Sequence, residues 1–203
     1  MSYLEFKSMF SRFPMFSIQD IEKIFPGFDN RRLVEWQKKG YIAKIRRGYY
    51  YLTDQPINEA FLFKAANKIY SPSYVSLESA FSFYNLIPEA TFVIRAVSTQ
   101  NTAHFDTPLG QFDYKHVKPS LFFGYVIETK NNYTFKIAEL EKALLDFFYF
   151  KKIDDLDKLD GLRLNIQMLE EGINWNKLEA YQLRFQSKTL DKRMRMLKSH
   201  IYA

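Results

Sequence analysis

Three short runs of apolar residues recur at helical spacing before the pattern changes to alternation. Leu4, Phe6 and Phe10 mark a first helix over 3–10, ended by Arg12-Phe13-Pro14. Ser17 opens a second helix, and Asp20 three residues on completes a capping box. Its apolar face is Ile18, Ile21, Ile24 and Phe25, and Pro26-Gly27 ends it. The third helix follows Asp29, whose carboxylate can accept the free N–H groups of the first turn. Leu33, Trp36 and Gln37 share one side, with Val34 at its margin, and Gly40 stops the helix. Tyr41, Ile42 and Ile45 then begin a strand, Arg46-Arg47-Gly48 turns it, and 49–52 returns.

The polar side of that third helix gives the pattern a functional direction. Arg31, Glu35 and Lys38 lie opposite the apolar side, flanked by Arg32 and Lys39, with Asn30 at the helix start. Lys44, Arg46 and Arg47 make the hairpin basic. A cationic helix followed by a basic hairpin matches a winged helix-turn-helix, with the helix in the major groove of double-stranded DNA and the hairpin on backbone or minor groove. The candidate DNA-binding residues are therefore Asn30, Arg31, Arg32, Glu35, Lys38, Lys39, Lys44, Arg46 and Arg47. Arginine suits bidentate contact with guanine, and asparagine suits adenine. The competing reading is a solvated helix face and an ordinary basic turn.

Beyond a boundary placed at 54–56, the chain mixes helices and strands. The pattern predicts helices over 57–69 and 75–84, the second with Ser76 as N-cap and Ser79 as a further polar candidate. Strands are predicted over 92–98, 111–117 and 121–129, and Lys130-Asn131-Asn132 turns the last into 133–137. A helix over 139–148 carries Leu140, Leu144, Phe147 and Phe148 inward, while Lys142 can pair with Glu139 and Asp146 on a surface face. Two or three helices follow from 156. The fold class is α+β: a winged helix-turn-helix domain over 1–54, then a mixed α/β domain over 57–203 ending in helices.

Composition narrows the function. The 203 residues carry a net charge of +6, which favours a polyanionic partner. The excess is local, with seven Lys/Arg against two Asp/Glu over 29–48 and six against one over 184–200. That second segment, with Lys188, Lys192, Arg193, Arg195 and Lys198, is a candidate second contact surface. No cysteine is present, so disulfides, thiolate catalysis and thiolate-bound zinc are excluded. The N-terminal residues lack signal-peptide character, and no apolar run approaches the roughly 20 residues of a membrane span. A cytoplasmic protein with no membrane partner is expected.

Enzyme signatures are sparse. His104, His116 and His200 share no ligand spacing, and there is no P-loop, G-x-G-x-x-G or H-E-x-x-H. No catalytic residue, metal site or cofactor is expected. One enzymatic alternative comes from Asp113-Tyr114-Lys115 and Glu128-Thr129-Lys130. With Asp106 as the added carboxylate, such triplets would suit a metal-dependent nuclease. Another alternative is a winged-helix transcription factor that senses a ligand in a pocket lined by its 20 Phe and 14 Tyr.

Four stretches together resemble the AbiEi antitoxins of type IV (abortive infection) toxin–antitoxin systems. They are Gly40-Tyr41-Ile42 through Ile45-Arg46-Arg47-Gly48-Tyr49-Tyr50, and Ser73-Tyr74-Val75-Ser76-Leu77-Glu78-Ser79-Ala80 continuing to Tyr84-Asn85-Leu86-Ile87-Pro88. The others are Gly110-Gln111-Phe112-Asp113-Tyr114-Lys115-His116-Val117 and Ala138-Glu139-Leu140-Glu141-Lys142-Ala143-Leu144-Leu145-Asp146. Asn85 departs from the family pattern where glycine is expected, and Leu140 where proline is common. The resemblance implies a winged-helix domain that binds promoter DNA and represses its own operon. It further implies a C-terminal α/β domain with antitoxin activity. The partner it implies is a nucleotidyltransferase toxin, opposed with or without stable contact. The chain lacks the Gly-Ser and paired aspartates of the toxin itself.

Overall fold

The computed structural model describes residues 1–13, 15–88 and 92–202. Pro14, expected to break the first helix, lies outside them. Among the described residues the chain is α+β, with ten α-helices and two sheets.

The first helices are specified locally. α1 (Tyr3–Phe10) starts with a capping box in which the Ser2 hydroxyl and the Glu5 carboxylate each accept the other's backbone N–H. Phe6 and Phe10 are buried, but Leu4 is exposed, because the helix is covered on one side only. After β1 (Met15–Ser17), α2 (Ile18–Ile24) carries the expected Ser17–Asp20 box, each backbone N–H again donated to the other side chain. α3 (Arg31–Lys38) buries Leu33 and Trp36 and leaves Val34 exposed. β2 (Ile42–Arg46) and β3 (Tyr49–Leu52) form the hairpin, and β1 adds to its other side in the order β1-β3-β2, all antiparallel.

An aromatic core joins these elements. Phe6 is wholly buried, with its ring centroid 4.5 Å from Phe10 and 4.7 Å from Trp36. Ile42, Tyr50 and Leu52 close this core from one face of the small sheet. The opposite face is largely covered, with Ala43 and Tyr49 only partly buried. Met15, Ile45 and Tyr51 enter the larger core of the rest of the chain. The small sheet is thus a shared wall.

The second sheet has six strands in the order β6-β7-β5-β4-β9-β8. These are β4 (Ser73–Val75), β5 (Val93–Ser98), β6 (Ala103–Thr107), β7 (Gly110–His116), β8 (Tyr125–Lys130) and β9 (Tyr133–Ala138). The pairs β5–β7 and β4–β9 are parallel, and the rest are antiparallel. Alternation on β4 shows how helices cover both faces. Ser73 donates its hydroxyl to Ala66 of α4 (Glu59–Ile69), whereas Tyr74 reaches Asp146 of α6 (Leu140–Phe150).

Several expectations are corrected here. The helix expected over 57–69 begins at Glu59, because Asn58 accepts the Phe61 N–H as its cap and Ile57 is exposed. The helix expected over 75–84 is α5 (Leu77–Phe83), and Val75 belongs to β4. The strand expected from 121 starts at Tyr125, since a 3₁₀ turn occupies Pro119–Leu121. The β8–β9 turn itself is as expected: Asn131 and Asn132 both have positive φ (52° and 66°), which a two-residue type I′ turn requires. Four helices rather than two or three follow: α7 (Leu156–Asp160), α8 (Ile166–Gly172), α9 (Trp175–Leu183) and α10 (Lys188–Ile201). Asn85, where the family pattern has glycine, has φ 56°, a left-handed conformation that asparagine tolerates. Leu140 is the first residue of α6, the position at which proline is favoured in helices generally. No helix among the described residues is long and apolar enough to cross a membrane.

Candidate nucleic-acid interface

Burying Leu33 and Trp36 turns the opposite side of α3 outward. Asn30, Arg31, Glu35, Lys38 and Lys39 are exposed, and Arg32 is half-buried. Asn30, not Asp29, is the N-cap residue, and its side chain makes no capping bond. Asp29 still serves the first turn, since its carboxylate accepts the Arg31 backbone N–H (3.0 Å) and the Arg31 Nε (3.0 Å). The Arg31 side chain, then its N–H, hold the Asp29 carboxyl below its ordinary range. Arg32 donates to the Met1 carbonyl (2.7 Å), and Lys39 pairs with Glu35 (2.6 Å). Exposed pairs of this kind contribute little to stability. Glu35 is therefore best read as the intramolecular partner of Lys39. Among the described residues Lys38, Lys44 and Arg47 make no ion pair.

Arg46 departs from its expected role. The β2–β3 register shifts between Lys44 and Arg46, a bulge that leaves Ile45 without a partner. An unbroken strand would turn Ile45 and Arg46 to opposite faces; the bulge sends both toward the large core. The Arg46 guanidinium lies 3.8 Å from the Phe105 ring centroid and donates from Nη1 to the Ile69 carbonyl (3.0 Å). It fastens the hairpin to the second sheet and is withdrawn from the basic tip, leaving Arg47 there, with Lys44 exposed further down β2. Arg46→Ala is expected to lower stability by about 1–3 kcal/mol, from a lost cation–π contact and an orphaned carbonyl. If the chain binds DNA through α3, as proposed below, that affinity and its salt dependence should stay unchanged. Urea titration and a salt series on one preparation check both halves.

The other candidates are also redistributed. On α10, Arg193 is buried, donating to Asp154 from Nε (2.8 Å) and Nη2 (2.7 Å) and to the Phe148 carbonyl (2.8 Å). Lys198 pairs with Glu179. The second basic surface reduces to Lys188, Lys192 and Arg195. For the nuclease alternative, His104 lies between the two aspartates, 2.5 Å from Asp113 through Nδ1 and 3.4 Å from Asp106 through Nε2. The Asp113 carboxylate, opposed by desolvation and helped by Asp106, raises the His104 pKa above its ordinary value, so the imidazole side chain occupies the place between the carboxylates. Among the described residues no three His, Asp or Glu side chains are arranged to hold a metal ion. In the second triplet, Lys130 pairs with Glu59 (3.4 Å). His116 is hydrogen-bonded to the Gln100 carbonyl (3.0 Å).

The expected surface pair on α6 is a core feature. Lys142 and Asp146 have no exposed surface. Lys142 Nζ pairs with Asp146 and donates to the Tyr74 hydroxyl (2.8 Å). Tyr74 and Ser76 both donate to the second Asp146 oxygen (3.0 and 2.9 Å). Ser76 occupies the N-cap of α5 but makes no capping bond, its hydroxyl being directed to Asp146. The rings of Phe185, Phe123 and Tyr74 lie 5.1–5.3 Å from Lys142 Nζ. Burial pulls the ammonium below its ordinary value and, with the Asp146 charge, pushes the Tyr74 phenol well above. The sequence held one signal of this: α6 is apolar nearly all round, as a buried helix is.

Compared with known proteins, the chain matches no family model, and no curated protein aligns with it significantly.

Proposed function

We propose that the chain is a DNA-binding repressor whose N-terminal portion acts as a winged helix-turn-helix. We further propose that it is the antitoxin of a type IV pair, as its motif order suggests. The supporting observation is the outward cationic side of α3, with Arg31, Arg32 and Lys38, beside a hairpin bearing exposed Lys44 on β2 and Arg47 at its tip. One aromatic core holds helix and hairpin together. Such a body can place α3 in a major groove with the tip on phosphates. Asn30 and Arg31 stand at the helix start, where base edges are commonly read.

The test is binding of the full chain to its own upstream DNA and to scrambled DNA across a salt series. Each phosphate contact contributes about −0.9 to the slope of log affinity against log salt. A Lys38→Ala/Arg47→Ala variant should flatten that slope by about 1.8 for both DNAs. Arg31→Ala should reduce the preference for the upstream sequence. Equal affinity for the two DNAs would remove the repressor reading. The antitoxin part is tested by growth rescue on co-expression with a neighbouring nucleotidyltransferase, and failure to rescue would remove that part alone.

A further inference from the structure

Where α2, α4 and the β8–β9 hairpin meet, three hollows of about 280–290 Å³ each adjoin through shared side chains. Lys68 lines all three. None of their lining residues belongs to α3 or to the β2–β3 turn. At one end Lys64 and Lys68, four residues apart on α4, face Lys136 of β9. Like charges at that spacing repel on a helix. Lys68 is partnered by Asp20 (2.8 Å), but Lys64 and Lys136 have no carboxylate among the described residues. Lys64 is half-buried, and burial, then Lys68 and Lys136, hold its ammonium below the ordinary lysine value. At the other end Phe10, Phe13, Met15 and Ile24 give the trough an apolar wall, with Asp20 and Lys23 at its margin and Asp20 held by Lys68.

Three half-buried ammonium groups with one carboxylate among them, Asp20 on Lys68, running into an aromatic-lined hollow, form a complementary shape for a phosphorylated aromatic molecule. We propose that this trough binds a single nucleoside phosphate, its phosphates on Lys64, Lys68 and Lys136 and its base against Phe13. A bare phosphate would leave the apolar end unused. A nucleic-acid strand would call for a basic track extending past the hollows, whereas this charge converges on one end of a short concavity. The proposal does not depend on DNA binding by α3.

Calorimetric titration of the full chain with ADP, GDP, pyrophosphate and a thymidine oligonucleotide tests it. At least one nucleotide should bind, more tightly than pyrophosphate and more tightly than the oligonucleotide per site. Lys64→Ala and Lys136→Ala should each weaken nucleotide binding about tenfold or more, the scale of one charge-assisted hydrogen bond. Their melting temperatures should be unchanged or higher, since repulsion is relieved. Phe13→Ala should weaken the nucleotide and leave pyrophosphate unaffected. No nucleotide binding, equal binding of pyrophosphate, tighter binding of the oligonucleotide, or indifference to Lys64→Ala would each overturn the proposal.

Discussion

Replacing Asp146 by alanine is expected to remove about 3–5 kcal/mol of stability, among the largest effects of any single change. The carboxylate is fully buried and receives the Lys142 ammonium and the hydroxyls of Tyr74 and Ser76. Alanine leaves a buried cation without its counter-charge and two hydroxyls without an acceptor. The phenol can still accept from Lys142, but one neutral oxygen does not replace a carboxylate. Coulomb attraction and desolvation nearly cancel in an intact buried pair, so the loss measures the orphaned groups more than the worth of the pair. A double variant, Lys142→Met/Asp146→Leu, should therefore recover part of the loss by removing both charges. It should not reach wild type, since Tyr74 and Ser76 still lack an acceptor, at about 1–3 kcal/mol for each buried unsatisfied group. Urea midpoints at constant slope give all three values. A double variant less stable than Asp146→Ala would mean that the network gains more than it loses from burial.

Phe6→Ala is the second large effect, also about 3–5 kcal/mol, the usual range for a buried aromatic truncated to alanine. Phe6 is central to the small core, with Phe10, Phe16, Phe25, Phe28 and Trp36 all around its ring. No other large side chain can collapse into the space without vacating its own place. Trp36 reports directly, because it touches Phe6, while the second tryptophan, Trp175, lies in α9. In a Trp175→Phe background, Trp36 emission should shift to its solvent-exposed value at lower urea than in the parent. On the proposed repressor reading, DNA binding should be lost over the same range. Unchanged Trp36 emission would show that the core closes over the gap.

How far the sequence reveals this molecule depends on the range of the interaction. The Ser17–Asp20 box and the Asn131-Asn132 turn are contained within a few residues, and both are legible. The strands β1 and β4 have three residues each, too few for alternation to show, and the sequence pattern predicts neither. β6 is not predicted either: it alternates regularly, but Ala103 and Thr107 are small and Phe105 is its one large apolar residue. Among the candidate DNA contacts, the exposure of Lys38 followed from helix periodicity alone. The fate of Arg46 did not, since it depends on a bulge and on Phe105 and Ile69, which only the tertiary fold brings near. Lys142 and Asp146 show the same limit. Four-residue spacing predicts their pairing, but Tyr74 and Ser76 arrive from another element. The ammonium end of the trough was equally hidden, because Lys64 and Lys136 are distant in sequence.

The small sheet, buried on both sides, limits how freely the N-terminal portion can be exchanged. Protein engineers treat a small N-terminal head as a cassette, to be cut at a linker and grafted elsewhere. A fragment ending at Asp54 would carry Met15, Ile45 and Tyr51 into water as a bare patch, with Arg46 lacking its ring and carbonyl. Such a patch favours self-association. The head and body of this chain therefore constitute one heritable unit, in which drift on the inner face of the hairpin must be matched by drift in the body.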